Sequence, residues 1–438
     1  MADETVAGDA TELSQPGGSF AARGPGVVDE VTPEVHLARN FHMGSVIRLT
    51  TPDGGVVIDT TGGARNATAA RDALWAQDPV DTRYVIYTHC HNDHVRGAEP
   101  FLSDRTEAIV AHELLEPLQD RDMRCLGNFL YGRLKSHQLG SPVEVGGTHY
   151  GHESPFVAPS LTFRHDLDIE VGGQRLHLEH TEGETRDHLL VWMPDLSVLC
   201  CGDLYYPAFP NLSSPGVGPR PIQGWIRSLD RFLEIDPVHL VPSHGPSLSG
   251  RELVRDTLTA YRDAIAYVWD ESLRCIDAGL PVQETARQVH LPPSLAQRPF
   301  LQELYGTVSW GVRAVYANLT GWYDGDPASL NSLPRSVVNG ELLALADPDR
   351  LAIRAAEVQA AGDDQLALEL SSIVLSVHPA HPVANRAKAD ACRRLIETST
   401  SANEKNFYLS GALIAEAVLD GRLHPHRQAA RTESDSAS

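Results

Sequence analysis

The chain has 438 residues, 42% hydrophobic and 21% charged, with a formal charge of −22. That composition belongs to a globular protein of two or three domains. The negative charge argues against a nucleic-acid or anionic-membrane partner held by bulk electrostatics, and no run reaches the roughly 18 apolar residues that span a bilayer.

Residues 1–30 are rich in Gly, Ala, Asp and Pro without periodicity and read as a disordered lead-in. Met1 to Ala22 carries no basic segment followed by an apolar stretch, so no secretory signal is expected. The six cysteines are scattered without a CxxC spacing, which points to a reduced, cytoplasmic protein.

Residues 45–50 and 55–60 alternate as two strands joined by the turn Pro52-Asp53-Gly54. A helix is expected from Asn66 to Trp75, then a strand over Tyr84-Val85-Ile86-Tyr87. Residues 108–111 read as another short strand, followed by helices to about Lys135. Residues 138–160, rich in Gly, Ser, Pro and His, form a loop long enough to border a cleft. Further strands are expected at 161–163, 169–171, 174–180, 188–193, 197–201 and 239–241. Short strands between helices, with polar residues at their ends, make a layered α/β design.

Beyond Gly250 the pattern becomes helical: 251–278, 294–305 and 307–319, then 341–361, 363–377, 382–398 and 404–419. The last four resemble a short tetratricopeptide-like stack. The expected division is therefore a catalytic domain over 31–250, a helical domain over 251–422 and a disordered tail over 423–438.

The chemistry concentrates in Thr-His-Cys-His-Asn-Asp-His-Val, residues 88–95, at the end of the strand 84–87. Three imidazoles and a carboxylate, His89, His91, Asp93 and His94, are the donors that zinc-type divalent metals prefer. Alternation along the loop suggests two metal positions, His89 and His91 facing one, Asp93 and His94 the other. Cys90 is expected to point inward and pack. Downstream, His180-Thr181-Glu182-Gly183-Glu184-Thr185, Cys201-Gly202-Asp203 and Ser243-His244-Gly245 each set a metal-type residue at a strand end beside a glycine or small residue.

These motifs resemble the metallo-β-lactamase superfamily, whose pattern is HxHxDH, then Gly-His-Thr, Gly-Asp and a final His before Gly. The resemblance implies an αββα sandwich followed by an all-α domain. It also implies metal ligation by His89, His91, Asp93, His94, Asp203 as bridging carboxylate, and His244, with Asp93 and His94 also catalytic. Gly183-Glu184-Thr185 stands where Gly-His-Thr is usual, a mark of the alkylsulfatase branch, and makes Glu184 the remaining ligand. His180, Glu182 and His188 stay open as rivals, although the interval from Glu184 to Asp203 fits the superfamily's spacing. Leu304-Tyr305-Gly306-Thr307-Val308, Arg313-Ala314-Val315-Tyr316 and Gly321-Trp322-Tyr323-Asp324-Gly325 look like that branch's dimerisation domain, which implies a homodimer.

Three departures from the branch stand out, one being Gly-Glu-Thr-Arg-Asp-His at 183–188 where the branch has a Thr-Glu-Ala-Pro run. The bridging acid is Asp203 where glutamate is known, and the sterol-carrier-like C-terminal domain of long members is not represented. Asn211 and Arg220 occupy a loop that in the branch approaches the sulfate, so both are nominated as substrate contacts.

Two divalent ions about 3.5 to 4 Å apart would bring a shared water's pKa toward neutrality and make it the nucleophile. The leading expectation is therefore a dinuclear, zinc-dependent hydrolase of a sulfate ester. A lactone, thioester, amide or phosphoester hydrolase on the same fold is the second reading, and a non-catalytic metal-binding scaffold the remote third.

Overall fold

The structure is a computed structural model that describes residues 24–76, 78–126, 129–147, 155–218 and 220–424. Residues 1–23 of the expected lead-in, 148–154 of the expected loop and 425–438 of the expected tail lie outside them. The described residues form two compact units, one of 24–126 and 155–321, the other of 129–147 and 322–424.

The first unit holds two sheets. One has seven strands in sequence order: β1 (Val27–Glu30), β2 (Val35–Arg39), β3 (Val46–Thr51), β4 (Gly54–Ile58), β5 (Thr82–Ile86), β6 (Ala108–His112) and β7 (Leu161–Phe163). The other has six: β8 (Asp166–Val171), β9 (Gln174–His180), β10 (Leu189–Met193), β11 (Val198–Gly202), β12 (His239–Pro242) and β13 (Leu248–Ser249). The pairs β4–β5, β5–β6, β6–β7 and β11–β12 are parallel. The carboxyl ends of such strands collect on one edge, where the side chains that follow them can meet.

Period-two alternation builds the layers. Ile47, Val56, Ile58, Ile86 and Val110 of the first sheet pack with Leu178, Leu189, Val191, Val198 and Val241 of the second. The intervening Val46, Val57, Val85 and Ile109 turn outward onto α1 (Ala64–Leu74). Leu190, Leu199 and Leu240 turn the other way, onto Trp225 and Leu229 of the helix Ile222–Ile235 and Leu258, Tyr261 and Ile265 of the helix Arg251–Asp277. Helix, sheet, sheet, helix is the expected αββα order.

Three expectations are corrected. The lead-in ends earlier than residue 30, because Val27–Glu30 pairs antiparallel with residues 36–39. Residues 294–305 are not one helix: a helical turn at Pro293–Ala296 is followed by Arg298 in an extended conformation before Pro299, as the clash of a proline ring with the preceding residue demands. Residues 341–361 divide into Arg335–Leu345 and Pro348–Ala360, since Asp347 caps a new helix by accepting from the Arg350 N–H and Pro348 takes its first position. Helical content and compactness also part ways, for the helices from Arg251 to Leu319 belong with the sheets in the first unit.

The second unit stacks Pro348–Ala360, Asp364–Val377, Pro382–Thr398 and Ala402–Leu419, each capped by a side chain at the residue before it: Asp347, Asp363, His381 and Ser401. Phe129–Gln138 joins this stack, its last carbonyls accepting from Asn406 Nδ2 and Ser410 Oγ. None of the helices among the described residues is long and apolar enough to cross a membrane.

Candidate active site

Four strand ends converge. After β5 the chain runs through Thr88, His89, Cys90 and His91 into the single helical turn α2 (Asn92–Val95). His91 keeps an extended backbone (φ −67°, ψ 145°) as the residue before that turn. The change from strand to helix between His91 and Asp93 separates the two donor pairs. Glu184 follows β9, Asp203 follows β11 and His244 follows β12.

The donor atoms of His89, His91, Glu184 and Asp203 lie within 4.8 Å of one another, and so do those of Asp93, His94 and His244. His89 Nε2 is 2.9 Å from His91 Nδ1, which is 3.5 Å from Glu184 Oε1. In the second group, Asp93 Oδ2 is 3.6 Å from the Nε2 atoms of both His94 and His244. Asp203 Oδ2 faces both groups, 3.8 Å from His89 Nε2, 3.5 Å from His94 Nε2 and 3.0 Å from His244 Nε2. His94 Nε2 and Asp203 Oδ1 are buried without a hydrogen-bond partner. Polar atoms in that condition are costly unless something else satisfies them, and a cation does. Imidazoles and carboxylates at this spacing are a donor set for divalent metals.

The imidazoles are oriented from behind. Asp59, fully buried at the end of β4, accepts from the Thr88 N–H (2.8 Å), Thr88 Oγ1 (2.9 Å) and Ser243 Oγ (2.7 Å), and pairs with His94 Nδ1 at 2.8 Å. His244 Nδ1 donates to the Met43 carbonyl at 2.9 Å, and His89 Nδ1 meets Thr88 Oγ1 at 3.0 Å. Asp59 is the functional residue the sequence reading missed. Its signal is a lone acid directly after the apolar run Gly55-Val56-Val57-Ile58.

Charge follows burial. Burial pushes the His89 pKa well below the ordinary imidazole value and takes His91 down to about 3. Burial acts the same way on His94, but Asp203, Asp93 and Asp59 outweigh it and raise this imidazole well above its usual value. Asp203 is held well below the carboxylate range, its desolvation overcome by His244 and His94. Protons on His94 and His244 must leave before those rings ligate a cation.

The rival donors are engaged elsewhere. His188 Nε2 accepts the Asp203 N–H at 3.2 Å and its Nδ1 meets Thr181 Oγ1 at 2.9 Å. His180 Nε2 donates to the Arg186 carbonyl at 2.9 Å, with its ring stacked on His112 at 4.0 Å. Glu182 pairs with Arg227 on the surface. Gly202 makes the His188 contact: it has φ 52°, and a Cβ there would lie 2.3 Å from His188 Nε2.

Of the donor side chains His91 (30% exposed) and Asp93 (17%) reach solvent, while the others are at most 6% exposed, so the mouth of the site lies beside these two. Asn211 is fully buried, held by its N–H to Tyr206 Oη at 2.6 Å, and its Oδ1 has no partner. Arg220 is buried with Nη1 on Glu184 Oε2. Tyr316 hydrogen-bonds Thr285 and the Leu280 carbonyl, so it packs, and Arg313 is exposed. Cys90 is buried in the core beneath the first sheet.

Comparison with known proteins agrees with this geometry. A family model for the metallo-beta-lactamase superfamily matches residues 39–244, and one described as alkyl sulfatase dimerisation matches 281–417. A linear primary-alkylsulfatase of a Pseudomonas species is 31% identical over 391 residues, covering 85% of this chain and 74% of that protein. An (R)-specific secondary-alkylsulfatase, also from Pseudomonas, is 28% identical over 414 residues, 88% of this chain and 62% of its own. The solved structure of a stereoselective inverting sec-alkylsulfatase from Pseudomonas matches the fold with a TM-score of 0.81 at 24% identity, over 90% of this chain and 66% of that one. The chain belongs to the alkylsulfatase branch of the metallo-β-lactamase superfamily. It spans about three quarters of the first relative and under two thirds of the second.

Proposed function

We propose that the chain hydrolyses sulfate esters of alkyl alcohols at a dinuclear zinc centre. His89, His91 and Glu184 would hold one ion and Asp93, His94 and His244 the other, with Asp203 facing both groups. The observation that carries this reading is Asp203 Oδ2, within 3.8 Å of imidazole nitrogens from both donor groups. When bound, the ions bring a water's pKa toward neutrality and stabilise negative charge on a sulfate oxygen.

The residues do the rest. Asp59 and the Met43 carbonyl fix the His94 and His244 rings, and Thr88 steadies His89. Asp93, which reaches solvent beside the mouth, would accept the proton that the attacking water gives up. Asn211, whose Nδ2 donates only a long 3.5 Å bond to Ser214 Oγ, is the proposed hydrogen-bond donor to the ester. The net reaction opens the C–O–S link with water to give an alcohol, sulfate and a proton.

The reading extends to assembly and location. Val338, Leu342 and Leu345 make an exposed apolar stripe on the helix Arg335–Leu345, and Leu333 precedes it. These residues fall within the stretch matched by the dimerisation family, so we take a second copy to cover them. The described cysteines Cys90, Cys200, Cys201, Cys275 and Cys392 are buried thiols, in keeping with a reducing, cytoplasmic setting.

A sulfate-release screen across short alkyl, long alkyl and aryl sulfates tests the substrate class. Sulfate is expected from at least the alkyl esters and not from His91→Ala. Hydrolysis of lactones or phosphoesters without any sulfate release would move the activity to another ester.

A further inference from the structure

Glu184 divides its carboxylate between two partners. Oε1 lies 3.5 Å from His91 Nδ1, on the metal side, while Oε2 is contacted by Arg220 Nη1. Both side chains are buried, with 4% and 6% of their surface exposed. The guanidinium sits 6.0 Å over the ring of Trp225, whose Nε1 is anchored on the Leu204 carbonyl at 2.8 Å. Glycine at 183 lets the turn before Glu184 press against the same ring, because a Cβ there would come within 2.8 Å of Trp225 Cγ. From the other side, Asn318 Nδ2 donates to the Arg220 carbonyl at 3.2 Å. The pair is therefore held in place by both backbone and aromatic packing.

A neutral imidazole in the place of Glu184 would need no counter-charge. A carboxylate there adds a further anion to a site that already holds Asp59, Asp93 and Asp203, and an uncompensated buried charge is strongly unfavourable. We propose that Arg220 is a positioning residue for Glu184: it cancels the added charge, holds Oε2, and leaves Oε1 alone to face the metal position, instead of gripping the substrate's sulfate. This rests on the metal-site reading above. Burial draws the Arg220 pKa down to about 10, which still leaves it a cation at neutral pH. A planar guanidinium fixes a carboxylate oxygen in a way an ammonium does not.

Five variants test the assignment: Arg220→Met, Glu184→Gln, Glu184→Gln with Arg220→Met, Glu184→His, and Glu184→His with Arg220→Met. In metal-stripped protein, Arg220→Met and Glu184→Gln should each lower the unfolding midpoint, and their combination should lose no more than the larger single loss. Additive losses would overturn the pairing. For zinc per chain, Glu184→His alone should lose about one ion, because its ring faces an unpaired guanidinium, and adding Arg220→Met should restore it. Equal loading of those two variants would overturn the charge-cancelling role. Arg220→Met should lower kcat with KM within about twofold, whereas full zinc with a tenfold higher KM would make Arg220 a substrate ligand. If the unaltered chain binds no zinc, the metal-site reading fails, and the unfolding comparison still decides whether Arg220 acts on Glu184.

Discussion

At the scale of single residues, Asp59 does what no loop histidine can do for itself. It gathers Thr88, Ser243 and His94 onto one carboxylate, so the ring that faces both Asp93 and Asp203 has a single orientation. Asp59→Asn should weaken zinc binding by about 10- to 100-fold, the usual cost of losing such a partner, as read by competition with a chromophoric chelator; unchanged affinity would leave Asp59 a purely structural residue. Gly202 tests the same edge through the backbone. Gly202→Ala combines φ 52° with a Cβ 2.3 Å from His188 Nε2, so it should destabilise the chain by more than about 1 kcal/mol, visible as a lower denaturant midpoint. Of the seven proposed donors, which the structure brings together, those in the 89–94 loop stood out as metal-type side chains after an apolar strand, whereas Glu184 was told from His180, Glu182 and His188 only through the resemblance and its spacing to Asp203. Asp59 was not legible, because one acid after a strand reads equally as a turn residue, and its partners lie as far away as Ser243.

At the scale of elements, strands with clean alternation were legible to within a few residues, since each face meets a different core. Helix bounds were less so. Apolar spacing alone runs the pattern through 341–361, and only the Asp347-Pro348 pair marks the new start. Val27–Glu30 was missed because its strand, half-buried at the sheet's edge, carries two acids in four residues. The helix Phe129–Gln138 offers a separate test, for its His137 and Arg133 both hold Glu144. Burial would raise this carboxyl, but those partners outweigh it and take its pKa from 4.5 down to about 2. A depressed carboxylate stabilises the fold above its unfolded pKa and loses that contribution as pH falls through the folded value. Acid unfolding should therefore show a decline between about pH 4.5 and 2 that Glu144→Gln lacks. Parallel curves for the two proteins would remove Glu144 from the stability of this helix.

At the scale of the whole molecule, the helical portion and the metal edge make separable predictions. Leu342 is 50% and Leu345 90% exposed, and large apolar side chains clustered on one helix face mark an interaction surface. Leu342→Glu with Leu345→Glu should turn a sedimenting dimer into a monomer and make the unfolding midpoint independent of protein concentration. A monomeric unaltered chain would instead leave that face without its second copy.

The metal edge is tested most directly by titrating zinc into metal-stripped protein while sulfate release from an alkyl sulfate is followed. The arrangement of six donors around Asp203 predicts uptake of two ions per chain, with sulfate released only as the second site fills. Sulfate release that persists in the stripped protein, or a chain that takes up no zinc, would contradict a reaction carried out between two bridged ions.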